Sequence, residues 1–291
     1  MVILYSVTQY DSDRALLANN GHLKIDRLKT PMRIFLKKLS IIQIPVLTDN
    51  YIYLLHDSVS GETAVIDPAL AQPVLEVLDT NGWQLTYILN THHHWDHVGG
   101  NLELKKKTGC KIIAATADSE RIPGIDRGVF EGDVIALGSH QATIIETLGH
   151  TSGHIVYYFA KDEALFCGDT LFAMGCGRLF EGSADQMWKS LQKLKVLPSS
   201  TRVYCTHEYT QANGHFALSV EPDNLQLQRK MIEVADLRLI NKPTVPSTIG
   251  DEKATNPFFR EDSRSLQKNL GLENQSSVTV FTELRKRKDS F

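Results

Sequence analysis

Long apolar runs are missing from this sequence. No stretch of about 18 apolar residues exists, so nothing in it reads as a membrane span. Cysteine is scarce, with four in 291 residues. Cys110, Cys167, Cys176 and Cys205 are scattered, which excludes the CxxC spacing of a structural zinc site and the cysteine density of a small secreted scaffold. Reduced thiols in a cytoplasmic setting are expected. The opening MVILYSV lacks the basic start and long apolar stretch of a secretory signal. Charge of one sign is also lacking: the formal net charge is −3, so no whole-chain field points to nucleic acid or a membrane surface. The basic run Arg285-Lys286-Arg287-Lys288 reads as a solvated helix end. Internal repeats and low-complexity segments are absent as well.

A hydrophobic content of 42% is enough for a full core in one large domain or two smaller ones. Residues 1–31 show no sustained periodicity and are set apart as an extension without an assigned role. From RIFLKKLSIIQIPVL onward, short β-rich runs alternate with helical ones. YIYLLHD and ETAVIDP read as adjacent strands, PVLEVLDTNG as a helix that stops at Gly82, and LTYILN as a strand. The middle reads as two hairpins, then the amphipathic helix ADQMWKSLQKLK, then the strand TRVYCTH. Beyond residue 206 the pattern turns helical. The expected organisation is α+β, with a mixed catalytic domain over 32–206 and a smaller helical domain over 207–291.

Against that background, THHHWDH (Thr91 to His97) places four histidines and an aspartate in seven residues. At the end of a strand, residues two apart share a side, so His92 and His94 can converge on one ion while His93 turns away. Asp96 and His97 follow after the chain has begun to turn and can aim at a second point. His150 in GHTSGH, Asp169 in FCGDT and His207 in CTHEYT also lie where β-runs meet loops. Two ligand sets result: His92, His94, His150 and Asp169, and Asp96, His97, His207 and Asp169, with the two oxygens of Asp169 bridging. Imidazole and carboxylate ligands suit Zn, Fe or Mn, zinc being the first choice. His154, four residues after His150, reads as a structural hydrogen-bonding residue.

THHHWDH with His150, Asp169 and His207 resembles the binuclear site of the metallo-β-lactamase superfamily. That resemblance implies an αββα sandwich with the metals at one edge of two packed sheets. GDTLFAMGCGRLFEGSADQM, THEYTQANGHFA and TVPSTIGDEKATNPFFR further resemble glyoxalase II, the hydroxyacylglutathione hydrolases. The family likeness implies hydrolysis of S-D-lactoylglutathione to glutathione and D-lactate, the second step of methylglyoxal detoxification. It also implies a hydroxide activated between two divalent metals, with Asp96 and Asp169 taking part in the chemistry. Carried over by position, Tyr209 and Arg178 would contact the glutathione moiety, Arg260 and Arg264 its glycine carboxylate. Phe180 falls where some members have a tyrosine. A monomer with no macromolecular partner is expected.

Overall fold

The computed structural model describes residues 38–291; the expectations for residues 1–31 and for the start of the first strand pattern lie outside them. Alternation along β2 (Asn50–His56) already explains the architecture. Every residue of this strand is buried. Tyr53 and Leu55 pack in one apolar cluster, while Ile52 and Leu54 pack in another. A strand covered on both faces reads as a continuous apolar run, and YIYLLH is such a run. The same alternation divides β3 (Thr63–Ile66) and β5 (Lys111–Ala115). Ala64, Ile66, Ile113 and Ala115 join the first cluster; Val65, Ile112 and Ala114 join the second.

The first sheet has the order β1-β2-β3-β4-β5-β6, with β1 at Ser40–Val46, β4 at Tyr87–Leu89 and β6 at Arg127–Val129. It is antiparallel from β1 to β3 and parallel from β3 to β6. Helices α1 (Ala71–Asn81) and α3 (Asn101–Thr108) cover its outer face with Val74, Leu78 and Leu104, and between them in the chain comes the single-turn helix α2 (Trp95–Val98). Gly82 ends α1 in the left-handed conformation at φ 66°, the position where glycine carries no Cβ penalty.

The second sheet is built from two hairpins, β7 (Val134–Leu137) with β8 (His140–Glu146), and β9 (Ile155–Phe159) with β10 (Ala164–Gly168). Beside β10, beyond a small ribbon of β11 (Leu171–Phe172) and β12 (Gly175–Cys176), runs the parallel strand β13 (Arg202–Cys205). The large aromatics Tyr53, Phe159 and Phe166 fill the interface between the sheets. Helix α4 (Ala184–Lys195) starts with a complete capping box: the Ser183 hydroxyl accepts from Gln186 N, and the Gln186 side chain returns to Ser183 N. Such a box supplies partners for two N–H groups that a helix start leaves open. The apolar stripe expected from the sequence is present, with Met187, Leu191 and Leu194 buried.

After β13 the chain is mostly helical: α5 (Thr210–Val220), α6 (Leu225–Leu239), α7 (Ile249–Thr255), α8 (Arg264–Leu270) and α9 (Ser277–Ser290). One element there had no signal in the sequence. Ser247–Thr248 forms a two-residue strand, β14, paired with Arg202 and Val203 at the edge of the second sheet. The helical segment is therefore attached to the sheet itself. No described helix is long and apolar enough to cross a membrane.

Candidate active site

The two sheets meet where β4, β10 and β13 end. Tyr51 N donates to Thr206 O at 2.7 Å and Glu208 N to Asp49 O at 2.8 Å, joining the first sheet to the segment leaving β13. Three chain segments converge at this seam: THHHWDH after β4, Asp169 after β10 and His207 after β13. Gly168 makes the approach possible. It sits at φ +48°, and a Cβ there would lie 2.3 Å from Thr91 Oγ1. Only a glycine lets β10 pass this close to the histidine segment.

Three groups of donor atoms result, each with its members within 4.8 Å of one another: His92, His94 and His150; Asp96, His97 and His207; and Asp67, His92 and His97, of which Asp67 is engaged by His97 Nδ1 and leaves the first two as the inward-facing sets. His94 Nδ1 lies 3.0 Å from His92 Nε2 and 3.2 Å from His150 Nε2. Asp169 reaches both groups. Its Oδ2 is 3.4 Å from His150 Nε2, and its Oδ1 is 3.5 Å from His97 Nε2 and 3.4 Å from His207 Nε2. Asp96 Oδ2 lies 3.5 Å from His97 Nε2 and 3.4 Å from His207 Nε2.

Most of the outward-facing nitrogens are engaged, His92 Nδ1 by Thr91 Oγ1 at 3.0 Å among them. His97 Nδ1 donates to Asp67 Oδ2 at 3.0 Å, His207 Nδ1 to Asp49 Oδ1 at 2.9 Å and His150 Nδ1 to Arg178 O at 2.9 Å. A ring that donates through one nitrogen presents a lone pair on the other. Asp67 also accepts from Thr91 N and Thr91 Oγ1, which pins the start of the histidine segment. Asp169 is held by its backbone N–H on His154 Nε2 at 3.1 Å and by Thr206 Oγ1 on Oδ1 at 2.5 Å. His154 is thus a hydrogen-bonding residue. His93 faces away, toward Asp118 Oδ2 at 3.2 Å. Asp67 and Asp49 had no signal in the sequence; the histidines they hold lie 30 and 158 positions away.

Electrostatics sort these groups in the same way. Burial, with neighbouring His97, drives His92 well below the ordinary histidine value; burial and His150 bring His94 down to about 4; burial lowers His150 as well. Burial alone would protonate Asp169, but His207 and His97 outweigh it and hold the carboxyl well below its usual range. His97 goes the other way: burial lowers it, and Asp169 and Asp67 more than reverse that. Yet His97 Nε2 is buried without a hydrogen-bond partner, between two carboxylate oxygens. Neutral imidazole lone pairs facing one another at 3.0–3.2 Å, beside ionised carboxylates, repel unless a cation lies among them. The donor set therefore fits divalent metal ions of the kind that accept nitrogen and oxygen ligands.

A cavity of about 510 Å³ opens beside these donors, and His150 and Asp169 form part of its lining. Tyr209 contributes a ring stacked on His207, with centroids 4.7 Å apart, and Phe172 stands edge-on to Tyr209. Phe180 also lines it, with its ring against His150 and His94. Its cations are Arg178, Arg285 and Lys288.

Two corrections to the sequence reading follow. The structure does not bring Arg260 and Arg264 to this cavity. The Arg260 guanidinium is engaged twice by Glu221, at 2.8 Å each, and Arg264 opens α8 as an exposed residue. The basic run near residue 285 is not simply a solvated helix end. Arg285 is 4% exposed, and with Lys288 it extends the buried face of Phe281 and Leu284 toward the cavity.

Comparisons with known proteins agree with this architecture. Residues 47–207 match the metallo-beta-lactamase superfamily, and residues 208–291 match the family described as hydroxyacylglutathione hydrolase C-terminus. A hydroxyacylglutathione hydrolase of Methylococcus capsulatus is 56% identical over 253 residues, 87% of this chain and 99% of the relative. Its counterpart in Rhodospirillum rubrum is 55% identical over the same shares. Among solved structures, ETHE1 from Myxococcus xanthus superposes with a TM-score of 0.59 at 23% identity, over 87% of this chain and all of that one, and so shares the fold. A metallo-beta-lactamase fold carrying this donor cluster, extended by the matching helical segment, places the chain in the hydroxyacylglutathione hydrolase family, the glyoxalase II branch of the metallo-beta-lactamase superfamily.

Proposed function

We propose that the chain hydrolyses 2-hydroxyacylglutathione thioesters, S-D-lactoylglutathione first among them, to glutathione and the free hydroxy acid. The observation that carries this reading is the cation cluster beside the donor centre. Lys288 is held below the ordinary lysine value by burial and by the like charges of Arg285 and Arg178. Among the described residues only Arg285 of these three has a carboxylate partner, Asp289 at 2.8 Å, so the wall stays short of negative charge until an anion arrives, and glutathione brings two carboxylates.

In this reading His92, His94, His150 and Asp169 would hold one divalent ion, and Asp96, His97, His207 and Asp169 would hold a second. Zinc is the first choice, before iron or manganese. Bound there, the pair would acidify a water toward neutral pH and polarise a carbonyl. The chain's own residues do the rest. Asp67, Asp49 and the Arg178 carbonyl fix the ring orientations of His97, His207 and His150, so that their free nitrogens point inward. His154 and Thr206 hold Asp169 with one oxygen toward each donor group. Asp96, steadied by Asn50 Nδ2 at 3.0 Å, orients the attacking water.

Tyr209 and Arg178 contact the glutathione moiety, and Lys288 and Arg285 attract its carboxylates. Phe180 and Phe172 exclude water beside the scissile bond. The leaving group is a thiolate whose conjugate acid has a pKa of about 8.5, so its departure requires no general acid. One chain supplies both the donor centre and the cavity wall, and a monomer suffices. Four free, buried thiols suit a reducing, cytoplasmic compartment.

The test is thioester hydrolysis by protein of known metal content. Rapid turnover of S-D-lactoylglutathione with two metals per chain, abolished by a chelator, is the expected result. Metal-loaded protein that leaves this thioester intact would remove the reading.

A further inference from the structure

We infer that Glu252, on α7, and Asn256, which follows at the helix's C-terminal end, are positioning residues that fix the Phe172–Cys176 wall of the cavity and so set how tightly the glutathione portion of the substrate is held. The inference rests on the substrate reading above.

Glu252 is a conspicuous residue because nothing in the donor centre uses it. It is 1% exposed, and its hydrogen bonds come from neutral groups, Met174 N at 2.8 Å and Asn256 Nδ2 at 2.8 Å. Burial raises its carboxyl to about 7. A buried acid without a cation costs free energy that an apolar side chain in the same place would not. What it offers in return is visible in the backbone it grips. Met174 has φ +56°, a left-handed conformation that is unfavourable for an L-residue, and its N–H is tied to Glu252.

Asn256 secures the same ribbon from the other side. Its Nδ2 donates to Gly175 O at 2.9 Å and to Phe172 O at 3.3 Å. Its Oδ1 accepts from Phe258 N, which fixes the amide orientation. Three of the five residues from Phe172 to Cys176 are thus bound by two side chains, one on α7 and one at its C-terminal end. Phe172 and Cys176, at the two ends of this stretch, line the cavity, and the Phe172 ring touches both Tyr209 and His207 edge-on. The donor centre has separate anchors in Asp67, Asp49 and His154, so loosening this wall changes the cavity before it changes the metal ligands.

The experiment compares Glu252→Ala, Glu252→Gln and Asn256→Ala with the parent protein in steady-state kinetics, metal content and thermal unfolding. Glu252→Ala leaves the Met174 N–H unpaired and is expected to raise KM about tenfold, with metal content unchanged and kcat within about twofold of the parent. Glu252→Gln keeps an acceptor for Met174 N and turns its amide toward the buried Ser247 hydroxyl beside it; it is expected to restore KM to within about twofold. If Glu252→Ala fails to fold, Asn256→Ala carries the same criterion, since it removes the two carbonyl contacts to the ribbon together with the bonds to Glu252 and Phe258 N. A folded variant with unmoved KM overturns the inference. So does one in which metal content and kcat fall as KM rises. A parent protein without turnover removes the substrate reading and this inference with it, whereas parent turnover with an unmoved variant KM removes this inference alone.

Discussion

The donor centre and the cation wall lie side by side in one cavity, yet they are held in place by different means. In the centre nearly every inward nitrogen has a dedicated partner behind it: Asp67 for His97, Asp49 for His207 and a backbone carbonyl for His150. These partners come from strand ends and the turns and loops beside them. The wall depends on α9, the last helix of the chain. Arg285 Nη1 spans 109 positions to reach the Cys176 carbonyl at 2.9 Å, while Arg285 Nη2 is taken by Asp289 one turn on. Lys288 has only a 3.5 Å contact to Ala212 O and two aromatic faces about it. The centre is preorganised for chemistry that tolerates little movement. The wall is a set of charges whose task is attraction, and it can give without undoing the centre. Damage to the two should therefore register in different constants.

The sharpest way to break this comparison is Asp169→Asn. The substitution keeps the shape of the side chain but exchanges a carboxylate oxygen for an amide nitrogen facing one of the donor groups. Loss of a partner behind a ligand typically costs about 10–100-fold in metal affinity or activity, and a group that faces both donor sets should exceed that. We expect metal content below two per chain and turnover reduced by more than about 100-fold. Elemental analysis paired with thioester turnover is the check. Two tightly held metals with full turnover would show that Asp169 does not serve both groups.

The same division governs how much was legible in the sequence. Local periodicity suffices for the helix ADQMWKSLQKLK, which spans Ala184–Lys195, and for His92 and His94, which share a side of the segment leaving β4. The outer partners were not legible, because a lone Asp67 or Asp49 carries no pattern and its meaning is created by contacts 30 and 158 positions away. Arg285 and Lys288 stood in plain view inside a basic run. Counting charge made that run look solvated. The readable signal was spacing: Phe281, Leu284, Arg285 and Lys288 follow the i, i+3, i+4, i+7 rule of one helix face, whereas Lys286 and Arg287 point to solvent. Arg260 misled in the opposite sense, since its half-buried pairing with Glu221 depends on a residue 39 positions upstream.

Lys288→Ala sharpens the other half of the comparison. Hydrogen bonds to charged groups contribute roughly 1.5–3 kcal/mol, and Lys288 is partly exposed, so screening trims that figure. An increase in KM of about tenfold with kcat nearly unchanged is expected, and metal content should stay at the parent level. Raising the ionic strength should narrow the gap between variant and parent, because the parent loses screened attraction that the variant never had. A fall in kcat with KM constant would mean that Lys288 acts on the reacting atoms and not on the distant carboxylates.

The smallest effect is expected at the border between the two regions. Phe180 is 62% exposed and places its ring 5.2 Å from that of His150 and 5.6 Å from that of His94. It touches the centre on one side and the open cavity on the other, without a polar atom to offer either. Phe180→Tyr adds one hydroxyl at the ring tip and removes nothing. If that hydroxyl reaches the bound glutathione, the gain is one hydrogen bond, about 0.5–1.5 kcal/mol net, or roughly two- to tenfold in KM. Exposure favours the lower end, because water already satisfies the hydroxyl in the free protein. Turnover and metal content should not move, since the ring faces that pack on His94 and His150 are unchanged. Steady-state kinetics at saturating and limiting substrate separates these outcomes. A change in kcat larger than the change in KM would place Phe180 with the centre and not with the wall.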